Sequence, residues 1–173
     1  MKRLFSPWRS QYIASFKDEA KKKKDECLFC RIAREKNDEK NLVVARREHC
    51  FVVMNKYPYN SGHLMIVPFN HTANFGGLSR DEYAEIMATT AEMIDVLGKV
   101  SQPQGFNFGA NLGRVAGAGI DQHVHFHLVP RWNGDTNFMP TIGDVKLVSE
   151  ETRETFKRLR QAVDTKEGRS RKK

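Results

Sequence analysis

The most constraining feature of this 173-residue sequence is QHVHFHLVPR, residues 122–131, in which histidines alternate with apolar residues. A period of two is the pattern of a β-strand with one polar and one buried face. It places His123, His125 and His127 on one face, with successive side chains about 7 Å apart. Because the chain has only six histidines, a row of three indicates a functional site.

Three imidazoles on one strand face are compatible with two kinds of chemistry. They can bind a catalytic metal ion together, as three histidines do in some zinc enzymes. Alternatively, one neutral imidazole acts as a nucleophile while its neighbours orient it and transfer protons. The third interpretation is a polar face on an exposed strand, which the scarcity of histidine disfavours.

The remaining elements predict an α+β fold. Five short runs rich in β-branched and aromatic residues predict strands: NLVVARRE, CFVVMN, HLMIVP, GFNFGANLG and the histidine stretch. Ser79 and Glu82 have the spacing of a capping box at the start of a long helix, and a second helix is predicted over residues 149–164. The hairpin-like connections favour a five-stranded antiparallel sheet with helices on one side.

Charge and hydropathy limit the location and partners of the chain. The net charge is +8, and much of the excess lies in two basic runs, residues 21–24 and 166–173. Such runs are typical of solvated surface, although they also attract phosphate-rich ligands. No apolar run approaches the roughly 18 residues that span a membrane, and the first residues lack the apolar core of a signal peptide. A cytoplasmic protein without membrane contact is predicted.

Cys27 and Cys30 form a Cys-x-x-Cys pair in a segment, ECLFCRIA, that we expect to be a compact knuckle. The chain has three cysteines, and an odd number does not suit a disulfide framework. The pair is compatible with a metal site, a redox pair or unpaired buried thiols. Redox pairs usually lie in a βαβ unit, and the absence of such a pattern here favours a metal.

Two motifs together resemble a known family. HVHFHLVPR resembles the His-φ-His-φ-His-φ-φ signature, with φ apolar, of the histidine triad (HIT) superfamily of nucleotide hydrolases and transferases. MNKYPYNSGHLMIVPFNH resembles the second characteristic block of the family, with a Gly-His before a strand and an asparagine eight residues upstream. Two further segments, LFSPWRSQYI and HLVPRWNGDTNFM, are similar to the prokaryotic diadenosine tetraphosphate phosphorylase branch.

The resemblance implies a HIT domain over residues 27–165, preceded by a helical arm (1–26) and followed by a basic disordered tail (166–173). It also implies a homodimer in which the sheets of two subunits join. The implied enzyme transfers or hydrolyses nucleotides. His125 attacks the α-phosphorus of a dinucleoside polyphosphate such as diadenosine tetraphosphate, and a nucleotidyl-histidine intermediate forms.

In the second step implied by the resemblance, inorganic phosphate or water attacks this intermediate, and phosphorolysis gives ADP and ATP. His127 and His63 are expected to stabilise transition-state charge or the leaving group. Mg²⁺ is expected only as a companion of the polyphosphate, because the sequence has no dedicated carboxylate site. Asp135 and Asp144 are interpreted as loop formers.

The resemblance also implies substrate contacts. Asn55 matches a ribose-binding position, although an asparagine before KYPYN also favours a turn. Asn111 falls near a phosphate-contacting position. The following segment is about one residue longer than in several relatives, so the backbone N–H groups of Gly117 and Gly119 are expected to contact phosphates instead. The alternative for these glycines is a plain flexible loop.

Some members of the family hold a structural zinc ion with a Cys-x-x-Cys pair and two histidines. The matching residues here are Cys27, Cys30, His71 and His123, and two thiolates with two imidazoles suit tetrahedral Zn²⁺. Two rival hypotheses remain open: a nucleotide- or RNA-binding module with little turnover, and a metallohydrolase that uses all three histidines of the row. A nucleic-acid partner is not expected, because binding alone does not require a nucleophile.

Overall fold

The structure is a computed structural model that describes residues 26–135 and 150–170. Its centre is a five-stranded antiparallel sheet with the strand order β1-β2-β3-β5-β4. The strands are β1 (Val43–Arg46), β2 (Cys50–Met54), β3 (Leu64–Pro68), β4 (Gly105–Gly109) and β5 (Phe126–Arg131). The α-helices are α1 (Leu28–Glu35), α2 (Asp38–Asn41), α3 (Arg80–Ser101) and α4 (Thr152–Ser170). The predicted α+β architecture and the five antiparallel strands are confirmed.

The main core lies between the sheet and the two long helices, α3 and α4. Its central side chains have no exposed surface: Leu64, Ile66 and Leu128 from the strands, Met93 and Leu97 from α3, and Leu159 from α4. The apolar residues that alternate with the histidines, Val124, Phe126 and Leu128, belong to this core. Their orientation towards the helices, predicted from the period of two, is confirmed.

The opposite face of the sheet is covered by α1. Phe29 and Ile32 of this helix pack against Phe51, Val53 and Val67. The sequence analysis predicted a compact knuckle in this segment and helices on one side only. The long helices do share one side, but α1 is a helix on the other side. Its two apolar residues, three positions apart, form a short helical stripe that is buried against the sheet.

The capping box at the start of α3 is confirmed. The Ser79 hydroxyl accepts a hydrogen bond from the Glu82 N–H (3.2 Å), and the Glu82 carboxylate accepts one from the Ser79 N–H (2.6 Å). One turn further along, the Glu85 carboxylate accepts the backbone N–H groups of residues 48–50 in the β1–β2 turn. Burial raises the pKa of Glu85, but these hydrogen bonds outweigh it and the net shift is downward. The helix is therefore fixed to the sheet by polar as well as apolar contacts.

The histidine stretch enters the sheet later than predicted, because β5 begins at Phe126 rather than at the start of the stretch. The Val124 N–H donates to the Thr72 carbonyl at 2.7 Å instead of to a strand neighbour. The loop after β3 therefore holds the segment that precedes β5. Of the three histidines in the row, only His127 lies in the ladder, where it pairs with Met65.

The structure also bears on the predicted boundaries. The second long helix, α4, includes residues 166–170, which the sequence analysis assigns to a disordered tail. The predicted N-terminal arm lies outside the described residues except for Glu26, as do Asp144 and residues 171–173. In the described ranges, no helix is both long enough and apolar enough to cross a membrane.

Candidate active site

Four buried histidines from two segments of the chain meet on the α1 face of the sheet. The exposed fraction is 0% for His63, 1% for His123, 5% for His125 and 9% for His127. His63 lies immediately before β3, and His127 lies on the neighbouring strand β5. The ring centroids of His63 and His127 are 5.0 Å apart, as are those of His125 and His127. The three residues expected to be catalytic are therefore brought together.

The hydrogen bonds of His63 and His127 determine where their protons lie. The Tyr59 backbone N–H donates to His63 Nδ1 at 3.0 Å, so this nitrogen carries no proton. His63 therefore carries its proton on Nε2 and donates it to His127 Nδ1, at 2.9 Å. Because His127 Nδ1 accepts, a neutral His127 must carry its own proton on Nε2.

His127 Nε2 is buried and has no hydrogen-bond partner among the described residues. A buried N–H without an acceptor typically costs roughly 1–3 kcal/mol. Burial, followed by the nearby His125, lowers the pKa of His127 to about 4. The ring is therefore neutral at pH 7 and presents one unused N–H donor, which suits an oxygen atom of a bound ligand.

In His125 the proton lies on the other ring nitrogen, Nδ1. Its Nδ1 is 2.8 Å from the His123 backbone carbonyl, which only accepts hydrogen bonds, so Nδ1 carries the proton. Burial lowers the pKa of His125, although the hydrogen bond to this carbonyl partly offsets the effect. The neutral ring therefore keeps a lone pair on Nε2. A nucleophilic nitrogen on His125 and a hydrogen-bond donor on His127 thus lie on neighbouring rings.

Tyr59 is a member of this site that the sequence analysis missed, since it treated YPYNSG as a loop of turn formers. Besides its backbone N–H, its ring contributes: the ring centroid is 4.7 Å from that of His63 and 5.6 Å from that of His127. The side chain is 45% exposed, so it covers the two histidines on the solvent side. An aromatic residue four positions before the Gly-His histidine was the available signal.

Asn55 lies beside the site, as expected for a residue that contacts substrate. Its Nδ2 is 3.4 Å from His63 Nδ1. Its Oδ1 accepts the Tyr57 N–H at 2.9 Å, which is the turn that the sequence analysis named as the alternative to ribose binding. The turn orients the asparagine side chain and leaves its Nδ2 next to His63.

The segment between β4 and β5 carries the other expected contacts. The last residue of β4 pairs with His127, and Asn111 follows two residues later. Gly117 has φ of 96° at the end of a 3₁₀ turn, and its N–H donates to the Arg114 carbonyl at 3.0 Å. This N–H is therefore engaged within the turn and is not directed to a phosphate in this conformation. Gly119 lies two residues further along the loop.

A second cluster lies next to the catalytic candidates and contains Cys27, Cys30, His71 and His123. The Cys27 Sγ to His123 Nδ1 distance is 3.4 Å, and Cys30 Sγ lies 3.2 Å from His71 Nδ1 and 3.7 Å from His123 Nδ1. The two Nδ1 atoms are 3.2 Å apart. Tetrahedral zinc with ordinary bond lengths places its ligands about 3.3–3.8 Å apart, so the donor set fits such an ion.

The chemistry of the cluster also fits a cation. His123 Nε2 donates to the Pro68 carbonyl at 2.9 Å, so the lone pair of Nδ1 faces the two cysteines. Burial, with the neighbouring Cys27, raises the pKa of the Cys30 thiol to about 11. A nearby positive ion would reverse this effect and stabilise the thiolate. Phe29 connects the two clusters, because its ring centroid lies 5.5 Å from that of His123 and 5.0 Å from that of His125.

Comparison with known proteins identifies the family. The family model of the HIT domain matches residues 36–134. The AP-4-A phosphorylase of Mycobacterium tuberculosis is 41% identical over 165 residues, which cover 92% of this chain and 83% of that protein. A zinc-bound histidine triad family protein from Mycobacterium smegmatis has the same fold, with a TM-score of 0.66 at 22% identity over 83% of this chain and 96% of that chain. A hypothetical histidine triad nucleotide-binding protein from Sulfolobus tokodaii has a TM-score of 0.64 at 25% identity, covering 80% and 93%.

The depressed pKa of His127 predicts a pH dependence of stability. In the unfolded chain a histidine takes up a proton below pH about 6.5, whereas His127 in the folded protein stays neutral down to about pH 4. The free energy of unfolding therefore falls as the pH falls from about 6.5 to about 4, by up to roughly 3 kcal/mol from this residue. Urea unfolding at a series of pH values measures the effect.

The variant His127→Asn keeps an acceptor for His63 but does not titrate, so its stability should fall less steeply over this pH range. If the free energy of unfolding changes with pH in parallel for the wild type and His127→Asn, the pKa of His127 is not depressed.

Proposed function

The chain belongs to the HIT family, and on this premise we propose that it is an enzyme that cleaves dinucleoside polyphosphates by nucleotidyl transfer through His125. The main support for the proposal is the state of two neighbouring rings. Nε2 of His125 has a lone pair and no proton, and the ring beside it, that of His127, has an N–H at Nε2. The similarity to the AP-4-A phosphorylase of M. tuberculosis supports diadenosine tetraphosphate as the substrate and phosphorolysis as the reaction.

In the first step, His125 Nε2 attacks the α-phosphorus of the substrate. A P–N bond forms while the P–O bond to the leaving ATP breaks, which leaves an adenylyl group on the imidazole. The ring becomes positively charged, and the His123 carbonyl that accepts its Nδ1–H stabilises this charge. The His127 Nε2–H donates to the leaving phosphate oxygen, on which negative charge develops.

In the second step, an oxygen of inorganic phosphate attacks the adenylyl group, the P–N bond breaks and ADP is released. If water attacks instead, the product is AMP. Asn55, beside His63, is proposed to bind the ribose, and Asn111 with the Gly119 N–H to contact the phosphates. Gly117 is proposed to shape the turn rather than to donate its N–H, which is already engaged. Mg²⁺ is proposed only as a companion of the substrate.

The product assay tests this proposal. With diadenosine tetraphosphate and phosphate, the wild-type protein should give ADP and ATP, whereas AMP and ATP without a requirement for phosphate would indicate hydrolysis. His125→Ala should lower the rate by roughly three orders of magnitude or more, because the variant lacks the nucleophile. His49→Ala, which changes a histidine outside the site, is the matched control.

Full activity in His125→Ala, or no cleavage of any adenylylated compound by the wild-type protein, would exclude the proposed mechanism. Salt-dependent binding of RNA that survives His125→Ala, together with no turnover, would favour the alternative of a binding module.

We further propose that Cys27, Cys30, His71 and His123 hold a structural Zn²⁺ ion. The distances and the lone-pair direction of His123 support this assignment. A bound ion would supply the positive charge that stabilises the two thiolates and would fix α1 to the segment before β5. His123 is then a structural ligand, and its backbone carbonyl remains the acceptor for His125.

Elemental analysis of purified protein should find one zinc ion per chain, and Cys27→Ser or Cys30→Ser should lose it. Cys50→Ala, which removes the third cysteine, should retain it, because Cys50 is buried in the main core. Retention of the zinc in His125→Ala would exclude the rival site at the three histidines of the row. A wild-type protein that neither contains nor binds zinc would overturn the proposal.

We also propose that the chain forms a homodimer through β4, which is an edge strand of the sheet. Exposed apolar side chains lie on β4, in the segment that follows it and in a 3₁₀ turn that contacts Phe126: Phe108, Leu112, Val115 and Phe75. The Phe108 ring stacks on Phe126 of the neighbouring strand with centroids 5.8 Å apart, so it is held in place although 40% of it is exposed. An ordered apolar edge of this kind favours association.

Light scattering should give a mass twice that of the chain. Phe108→Asp places a charge at the proposed interface and should give the monomer. Tyr57→Asp, at a comparably exposed aromatic residue in the β2–β3 loop, should leave the dimer intact. A monomeric wild-type protein would contradict the proposal.

A further inference from the structure

Asp135 carries a buried carboxylate that the function has not yet used. Its side chain is 7% exposed. Oδ2 accepts hydrogen bonds from Arg131 Nε (2.6 Å), Asn60 Nδ2 (2.8 Å) and the Trp132 N–H (3.1 Å), and Oδ1 accepts one from Arg131 Nη2 (2.8 Å). The sequence analysis interpreted Asp135 as a loop former. Its backbone N–H also donates to the Trp132 carbonyl at 3.1 Å, so it does close a turn. Beyond this role, it is the acceptor at the centre of a network between β5 and the loop before β3.

Asn60 is the member of this network that lies in the loop before β3, next to Tyr59. Besides the bond to Asp135, its Nδ2 donates to the Pro130 carbonyl at 3.2 Å, and its Oδ1 accepts the Ser61 N–H at 3.1 Å. Its backbone carbonyl accepts the His63 N–H at 3.1 Å. Asn60 is therefore held to β5 through its side chain and to His63 through its backbone.

The neighbour of Asn60 in sequence is Tyr59, whose N–H donates to His63 Nδ1. The direction of this N–H depends on the conformation of the loop that Asn60 holds. We propose that Asp135 is a positioning residue: through Asn60 it fixes the hydrogen bond from Tyr59 to His63 and so the proton positions on His63 and His127. The consequence for catalysis rests on the proposed function, in which His127 donates to the leaving group.

The network is anchored on rigid parts of the fold. Arg131, which forms two hydrogen bonds with Asp135, also donates from Nη1 to Asn107 Oδ1 in β4 at 2.7 Å. Asp135 therefore ties the loop to two adjacent strands. The charge is necessary for this role, because all four contacts are donors. An asparagine at this position would direct its own N–H groups towards some of these donors and could not accept from them all.

The variant Asp135→Asn has nearly the same shape and tests the proposal in two ways. The turnover number for diadenosine tetraphosphate should fall by roughly 10- to 100-fold, since small displacements of catalytic groups have effects of this order, while KM changes little. Independently of substrate, ¹⁵N NMR of histidine-labelled full-length protein should show His63 and His127 protonated at Nε2 in the wild type. In the variant both should become mixtures of tautomers.

Asp95→Asn is the matched control. It makes the same change of charge in an exposed ion pair, in which Asp95 lies 3.5 Å from Lys166. Both readouts should stay at the wild-type values. Asn60→Ala is the second variant, because it removes the bond to Asp135 from the loop side and leaves the Asp135–Arg131 pair in place. It should reproduce the change of tautomers even where Asp135→Asn does not fold.

A folded Asp135→Asn or Asn60→Ala variant with unchanged tautomers and unchanged turnover would overturn the proposal and leave Asp135 a purely structural residue. The NMR readout needs no substrate, so it separates the two proposals. If the wild-type protein cleaves no dinucleoside polyphosphate while the His63 tautomer still responds, the proposed function fails and the positioning of His63 by Asp135 stands.

Discussion

The hydrogen bond from the His125 ring to the His123 backbone carbonyl is the interaction on which the rest of the site depends. It joins residues two positions apart at 2.8 Å and leaves Nε2 as the nitrogen that can attack. The segment that contains it lies outside the strand ladder, where the Thr72 and Pro68 carbonyls accept hydrogen bonds from Val124 and His123. The late start of β5 thus accompanies the hydrogen bond that leaves the His125 Nε2 lone pair available.

Burial of the histidines makes this arrangement chemically useful. Removal from water lowers the pKa of both His125 and His127, so neutral rings dominate at pH 7. In a neutral ring one nitrogen donates and the other accepts, so each fixed hydrogen bond determines the role of the opposite nitrogen. The same low polarity strengthens the bonds that fix the rings. This arrangement leaves the His127 Nε2–H buried without an acceptor among the described residues, which lowers the stability of the folded protein. A bound phosphate oxygen would accept this hydrogen bond and remove the penalty.

Local patterns predicted the elements of the fold, whereas contacts between distant residues determined the details of the site. The period of two in QHVHFHLVPR predicted which residues face the long helices, and the Ser79–Glu82 spacing predicted the start of α3, because both depend on neighbouring residues alone. Glycine-histidine and triad motifs likewise identified the catalytic candidates. The role of Tyr59 was missed because its hydrogen bond to His63 comes from the backbone N–H, and its aromatic side chain four positions before His63 was interpreted only as part of a turn. Asp135 does close a turn with Trp132, as a loop former would. Its contact with Asn60 could not be predicted, because the two residues are 75 positions apart.

Two separate anchors therefore meet at the pair of catalytic candidates. On one side, α1 and the cysteine–histidine cluster hold His123 and, through its carbonyl, His125, the proposed nucleophile. On the other side, Asp135 holds the loop that orients His63 and, through it, His127. The two anchors share no described hydrogen bond and are linked by the sheet, in which β3 and β5 are direct neighbours. The relative position of the His125 and His127 rings thus depends on the sheet, and the two anchors orient the rings and select their proton positions.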